Sequence, residues 1–155
     1  MPALAYVAVG SNLGDRQAML ARAQARLETH PRISVRRVSS IYETDPVGFL
    51  AQGRFLNAVW ELETELAPDV LLGALLSVEK DLGRERNVKN GPRVIDLDLL
   101  AYDDFISDRP KLILPHPRLH ERYFVLKPLS ELNPEWVHPH LHRTVQELLS
   151  EVSCH

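Results

Sequence analysis

Two helix-period stretches, each set between strand-period runs, constrain this chain more than anything else in it. Leu4 to Val9 is a short apolar run, read as a buried strand that ends in a turn-forming loop, Gly10-Ser11-Asn12-Leu13-Gly14. Asp15 then opens a helix with Leu20, Ala23 and Leu27 on one stripe, ending near His30-Pro31. Ile33 to Tyr42 reads as the second strand, and Glu43 to Arg54 as a loop holding Pro46, Gly48 and Gly53. Phe55 to Glu63 alternates as a third strand. Phe55, Asn57, Val59 and Glu61 fall on one face, and Leu56, Ala58, Trp60 and Leu62 on the other. Pro68 at a first helical position, with Asp69 beside it, starts a second helix that runs to Leu82 and stops at Gly83. A basic loop, Arg84 to Pro92, leads into a fourth strand up to Leu100.

The order strand, helix, strand, strand, helix, strand is the split βαβ pattern of ferredoxin-like domains. The expected fold is therefore α+β: a ferredoxin-like βαββαβ sandwich, with a mainly antiparallel sheet, helices packed on it, and a C-terminal extension. Helices on one face would leave the other free for a ligand. After Tyr102 the periodicity weakens, because Pro110, Pro115, Pro117, Pro128, Pro134 and Pro139 cut the chain into short pieces. A last helix is expected around Thr144 to Val152. A length of 155 residues predicts one domain, 1–155, with a core that needs no staples. The net charge of −3 gives no basic field for nucleic acid or membrane. Cys154 alone supports neither a disulfide framework nor a cysteine metal site, so a reducing cytoplasm is the expected setting. No signal peptide or membrane span is read from the chain.

The fourth strand carries the chemistry. Ile95, Leu97 and Leu99 are apolar, and Asp96 and Asp98 alternate with them, so the carboxylates project side by side, about 7 Å apart at Cα. Two like charges at that distance repel, and a hard divalent cation such as Mg²⁺ removes the repulsion. An Asp-x-Asp pair also suits a plainly solvated sheet face. The neighbours favour the metal: Arg84, Arg86, Lys89 and Arg93 crowd into one loop ahead of the pair. Cations and Mg²⁺ together are what a polyphosphate requires before a nucleophile can approach. There is no Gly-x-x-x-x-Gly-Lys-Ser/Thr, so a P-loop is excluded. Phe55 and Phe124 are core aromatics or a stacking pair, and Asn57 shares the face of Phe55. His116 sits in the rigid Leu114-Pro115-His116-Pro117 turn ahead of Arg118 and Arg122, either structural or a phosphate ligand. His138, His140 and His142 read as a surface tail rather than a metal site. Two other classes stay open on these residues alone: another Mg²⁺-dependent nucleotidyl or phosphoryl transferase, and a ferredoxin-like module without catalysis.

Gly91-Pro92-Arg93-x-x-Asp96-Leu97-Asp98-Leu99-Leu100 resembles the signature of the 6-hydroxymethyl-7,8-dihydropterin pyrophosphokinase family of folate biosynthesis. The resemblance covers nearly the whole chain. Gly10-Ser11-Asn12-Leu13-Gly14-Asp15, Tyr42-Glu43-Thr44-x-Pro46-Val47-Gly48, Phe55-Leu56-Asn57-Ala58 and Leu114-Pro115-His116-Pro117-Arg118 are similar to its other motifs, in order. It implies transfer of the β,γ-diphosphate of ATP to the pterin hydroxymethyl oxygen, with release of AMP. It implies that Asp96 and Asp98 hold two Mg²⁺ ions and that Arg84 and Arg93 act from a mobile catalytic loop. ATP would further meet Glu79, Leu99, Lys111, Leu112, His116 and Arg122. The pterin would lie between Phe55 and Phe124, near Asp96, with Asn57 on its polar edge and Thr44, Asp45 and Val47 beside it. The implied partners are these two small molecules, with no nucleic acid and no membrane, and a monomer is expected. Leu76, Asn90 and Pro117 depart from the family pattern at positions bearing on loop packing and adenine contacts.

Overall fold

A computed structural model describes residues 2–44, 54–83 and 94–152. Strand β1 (Ala3–Ser11) is followed by helix α1 (Arg16–Glu28), β2 (Ile33–Val38), β3 (Tyr42–Thr44), β4 (Phe55–Thr64), α2 (Pro68–Asp81) and β5 (Asp96–Tyr102). The sheet runs β2-β4-β1-β5, with β3 pairing the first part of β4, and every pairing is antiparallel. This is the split βαβ arrangement that the segment order predicts. A hairpin of β6 (Ser107–Arg109) and β7 (Leu112–Leu114), helix α3 (Tyr123–Leu132) and helix α4 (Val145–Glu151) follow. Among the described residues no helix is long and apolar enough to cross a membrane.

Local chemistry sets the ends of these elements. The Asp15 side chain accepts from the Ala18 N–H at 3.1 Å and caps α1, as its position suggests. Pro68 starts α2, and Gly83 follows it at φ +91°, a backbone shape that favours glycine. Thr144 and Glu147 form a reciprocal capping box at α4.

The single strand expected over Ile33 to Tyr42 is broken in two. Ser39 is the cause: its N–H donates to the Val59 carbonyl at 2.9 Å, and its hydroxyl, not its carbonyl, accepts from the Val59 N–H at 2.8 Å. A side chain thus takes one place in the ladder, and the backbone leaves the sheet before returning as β3.

One sheet face is a closed core. Val7 and Val9 of β1, Leu56, Ala58 and Leu62 of β4, and Ile95, Leu97 and Leu99 pack beneath the two long helices. Leu20, Ala23 and Leu27 of α1 and Leu71, Leu75 and Val78 of α2 cover them.

The opposite face is not left free, contrary to expectation. Tyr6, Val59, Leu100 and Ala101 are covered by Val125, Leu126, Leu129 and Leu132 of α3 and by Val145 and Leu148 of α4. Pro128 lies inside α3 instead of ending it. A proline within a helix costs about 3 kcal/mol. Burying α3's apolar side chains gives about 1.5–3 kcal/mol each, which outweighs that cost.

The residues of this second face stand in cross-strand rows. Asp96, Gly10 and Asn57 form one, Asp98, Ala8 and Val59 the next, and Ala101, Tyr6 and Glu61 a third. Gly10 and Ser11 therefore belong to β1, not to a loop: both pair with β4, and Gly10 also pairs with β5. The third row lies under α3 and is closed by hydrogen bonds. Glu61, 1% exposed, accepts from Tyr6 Oη at 2.7 Å and from Arg37 Nε and a terminal nitrogen at 3.0 Å each. Arg37 also donates to the Leu132 carbonyl at 2.5 Å, and Asn133 Nδ2 to Tyr6 Oη at 3.0 Å. Sheet and the end of α3 are pinned together there.

The histidines after α3 are not a surface tail throughout. His138 is 4% exposed, and its Nδ1 accepts from the N–H groups of His140 and Leu141 at 3.2 Å each. It builds the turn around Pro139. Burial first, then the neighbouring His120, His140 and His142, lower its pKa to about 4.

Candidate active site

The first two rows face a cavity of about 560 Å³, within the usual size of small-molecule sites. Its floor is β1, where Gly10 and Ala8 leave depth. A methyl group on Gly10 would lie 3.3 Å from Asn57 Oδ1 and 3.6 Å from Phe55 Cδ1, so only glycine keeps that floor flat without moving Asn57. β4 supplies Phe55 and Asn57, β3 supplies Thr44, β5 supplies Asp96 and Asp98, and the start of α3 supplies Phe124. The segment between β7 and α3 adds His116, Arg118 and Arg122.

Eight of the side chains singled out in the sequence thus meet in one place: Thr44, Phe55, Asn57, Asp96, Asp98, His116, Arg122 and Phe124. Gly10, Ala8 and Arg118 line it as well, and sequence reasoning assigns them no part in the site. For Gly10 a signal exists: an isolated glycine closing an apolar run often marks a close approach. Asp45, Val47, Arg84 and Arg93 lie outside the described residues. Glu79, Leu99, Lys111 and Leu112 do not line the cavity. Leu99 and Leu112 are buried in the closed core, and Lys111 is exposed at the turn of the β6–β7 hairpin. Glu79 is buried on α2, with Oε2 accepting from the Leu97 N–H at 2.7 Å. α2, β5 and β7, which carry Glu79, Leu99 and Leu112, pack against one another, and Lys111 directly precedes β7.

Hydrogen bonds orient the lining. Asn57 Nδ2 donates to Thr44 Oγ1 at 2.6 Å, and Asn57 Oδ1 lies on the Gly10 side of the cavity. The His116 N–H donates to the Leu100 carbonyl at 2.8 Å, close to the register shift between β1 and β5. His116 Nδ1 accepts from the Arg118 N–H at 3.1 Å. With Nδ1 an acceptor, a neutral ring carries its proton on Nε2. The ring is neutral at pH 7: burial first, then Arg122, lower its pKa to about 4, with Asp96 pulling the other way. His116 is thus an N–H donor without net charge. Arg118 Nε donates to Glu121 at 3.1 Å, and the Arg122 guanidinium lies 5.8 Å from the centre of the Phe124 ring, in cation–π range.

Two aspartates with arginines lining the same cavity can take a cation on one side and an anion on the other. Asp96 and Asp98 fit Mg²⁺ by donor type: two hard carboxylates on one face, with the other positions left to water and phosphate oxygens. Among the described residues no group of three or more His, Cys, Asp or Glu side chains is placed to hold a metal.

A family model described as 7,8-dihydro-6-hydroxymethylpterin-pyrophosphokinase (HPPK) matches residues 6–134. A 2-amino-4-hydroxy-6-hydroxymethyldihydropteridine pyrophosphokinase of Bacillus subtilis is 49% identical over 129 residues, 83% of this chain and 77% of that protein. The folic acid synthesis protein fol1 of Schizosaccharomyces pombe is 41% identical over 149 residues, which are 96% of this chain but 20% of that protein. Among solved structures, wild-type Plasmodium falciparum HPPK-DHPS with pteroate superposes at a TM-score of 0.75 and 14% identity, over 97% of this chain and 42% of that one, a likeness of fold. The matched stretch reaches from within β1 to just past α3 and takes in every residue that lines the cavity, so the chain belongs to the 7,8-dihydro-6-hydroxymethylpterin-pyrophosphokinase family.

Proposed function

We propose that the cavity binds ATP and 6-hydroxymethyl-7,8-dihydropterin together and carries out the family's pyrophosphokinase reaction, a step of folate biosynthesis. The pterin hydroxymethyl oxygen attacks the β-phosphorus of ATP. An O–Pβ bond forms, the bridge between Pα and Pβ breaks, AMP leaves with the bridging oxygen, and the hydroxyl proton is lost. One observation carries this reading: Asp96 and Asp98 face the same space as Phe55, Asn57 and Phe124. A polyphosphate and a flat heterocycle therefore have adjoining places.

Each group has work suited to its chemistry. Phe55 and Phe124 offer aromatic surface to the ring. Asn57, held by Thr44, keeps its carbonyl oxygen for a ring N–H or amino group. Arg118 and Arg122 bring positive charge to the phosphate side, and His116 adds an N–H donor. Asp96 and Asp98 would hold Mg²⁺, two ions by the resemblance, which when bound offsets phosphate charge. Arg84 and Arg93 are assigned to the phosphates, and Asp45 and Val47 to the pterin, on the resemblance alone. Leu99, Lys111 and Leu112 are assigned to the nucleoside on the resemblance alone, whereas Glu79 faces the Leu97 amide. Phosphoryl transfer needs positioning more than a strong base, and a closed site keeps water from taking the diphosphate. A monomer is kept as part of this proposal on the resemblance alone, and use of ATP supports a cytoplasmic setting.

The test is to identify the nucleotide released from ATP in the presence of hydroxymethyldihydropterin. AMP in step with pterin diphosphate, lost when divalent ions are chelated, is the expected result. ADP would mean a different phosphoryl transferase. No ATP consumption with any pterin would mean a binding module.

A further inference from the structure

Glu79 carries a buried carboxyl group that is not among the described residues lining the cavity, and burying a polar group is costly unless it is hydrogen-bonded. At 2% exposure its Oε2 accepts from the backbone N–H of Leu97 at 2.7 Å. Leu97 is the residue between Asp96 and Asp98. Among the described residues β5 is the last strand of the sheet, so alternate N–H groups point away from β1 toward the sheet edge. The Leu97 amide is one of these, and α2 reaches it with a side chain. We propose that Glu79 is a positioning residue for the metal pair: it fixes the Asp96–Leu97 peptide and so sets how the two carboxylates flanking Leu97 present themselves to a divalent cation. This rests on the reading of Asp96 and Asp98 as metal ligands. It differs from a role for Glu79 in touching the nucleotide itself.

The geometry explains why an acceptor suits the place. With an oxygen from α2 the Leu97 amide is satisfied and the strand is held, and without one a buried N–H is left unpaired. Leu97 packs its side chain in the closed core while its amide is tied to α2, so the aspartates on the opposite face project from a segment fixed on two sides. Partners that orient metal ligands typically change metal affinity about 10- to 100-fold when removed.

The experiment measures Mn²⁺ affinity by electron paramagnetic resonance, with a non-hydrolysable ATP analogue present, and exchange of the Leu97 amide proton by NMR. The chains compared are wild type, Glu79→Gln, Glu79→Met, Glu79→Ala and Asp98→Asn. Methionine keeps the volume and removes the acceptor, so it serves if the alanine variant fails to fold. Glu79→Gln retains an acceptor oxygen and is expected to stay near wild type in both readouts. Glu79→Met is expected to bind Mn²⁺ about tenfold more weakly and to exchange the Leu97 amide faster. Unchanged Mn²⁺ affinity in Glu79→Met, or loss of affinity for the metal-free analogue with Leu97 still protected, overturns the proposal. If wild type and Asp98→Asn bind Mn²⁺ alike, the assignment of the metal pair itself falls, and the proposal with it.

Discussion

The second face of the sheet carries carboxylates in two neighbourhoods, and they are handled in opposite ways. Glu61 stands in the row beneath α3, where Arg37 and Tyr6 meet it with three hydrogen bonds. Asp96 and Asp98 stand in the other two rows, half-buried, where the cavity opens beside the start of α3. The strands are the same and the register is continuous across β4 and β1. What differs is the residue on the central strand and what lies above it. Tyr6 fills its row and donates to its carboxylate, whereas Gly10 and Ala8 leave theirs open. A carboxylate whose neutralising partners come from the fold supports the fold. One that faces a cavity lined by arginines is placed for a ligand.

The sharpest way to break this contrast is to remove one carboxylate from each neighbourhood. Asp98→Ala is expected to lower AMP formation by about 10³-fold or more, on the scale of losing a key electrostatic group in a transfer site. Its thermal midpoint should fall less than that of a variant at Glu61, since Asp98 is half-buried at the cavity and not enclosed under α3. A variant that turns over normally, or one that unfolds, would remove the functional reading of that row. Glu61→Ala is expected to do the reverse. It leaves the Tyr6 hydroxyl and Arg37 without their acceptor under α3. Arg37 is half-exposed and can return to water, so the cost is nearer ~3 kcal/mol than the top of the range for broken buried pairs. Urea unfolding measures it, and KM for ATP in the surviving folded fraction should be little changed.

Much of this contrast is legible in the sequence, though not all of it. The alternation of Phe55 to Glu63 places Asn57 and Glu61 on one face correctly, and the Asp-x-Asp spacing puts both aspartates on that face. Periodicity cannot say which end of a face is covered. That depends on α3, whose apolar positions Val125, Leu126, Leu129 and Leu132 have helical spacing that Pro128 obscures. Glu61 reads as a solvent-facing residue because its partners, Tyr6 and Arg37, come from two other strands. The same limit applies to Glu79, which the resemblance assigns to ATP and whose bond to the Leu97 amide no local pattern marks. Ser39 is legible only afterwards, since nothing local marks a hydroxyl that replaces a carbonyl.

The closed row also titrates, and this gives a smaller effect. Burial first, then the Glu61 carboxylate, push the Tyr6 hydroxyl up to about 12 from 10.0. A raised pKa means that the folded state favours the protonated phenol. The stability it contributes is full below about pH 10 and is lost as pH rises toward about 12. A shift of that size corresponds to about 2–3 kcal/mol. For Glu61, burial works upward, but Arg37 and Tyr6 outweigh it and hold the carboxyl below its ordinary value. Its contribution is present above that ordinary value and is lost as pH falls through the lowered one. Unfolding measured across alkaline pH should show the loss above about pH 10 in the wild type and a flatter curve in Tyr6→Phe. Equal curves would mean that the row is not coupled as its hydrogen bonds indicate.

The smallest expected effect sits on the floor of the open row. Gly10→Ala places a methyl group 3.3 Å from Asn57 Oδ1, 3.5 Å from the Leu56 carbonyl and 3.6 Å from Phe55 Cδ1. The first contact is tight and the others are ordinary, so Asn57 has to give by a few tenths of an ångström. Its amide is also tied to Thr44 at 2.6 Å, so the shift strains that bond rather than passing harmlessly. The aspartates in β5 are held from their other side and have less reason to move. KM for the pterin should therefore rise about three- to tenfold, roughly 1 kcal/mol by the usual conversion, while KM for ATP stays within about twofold. A larger effect on ATP than on the pterin would mean that the Asn57 side of the cavity does not hold the heterocycle, and that the two substrates lie the other way round.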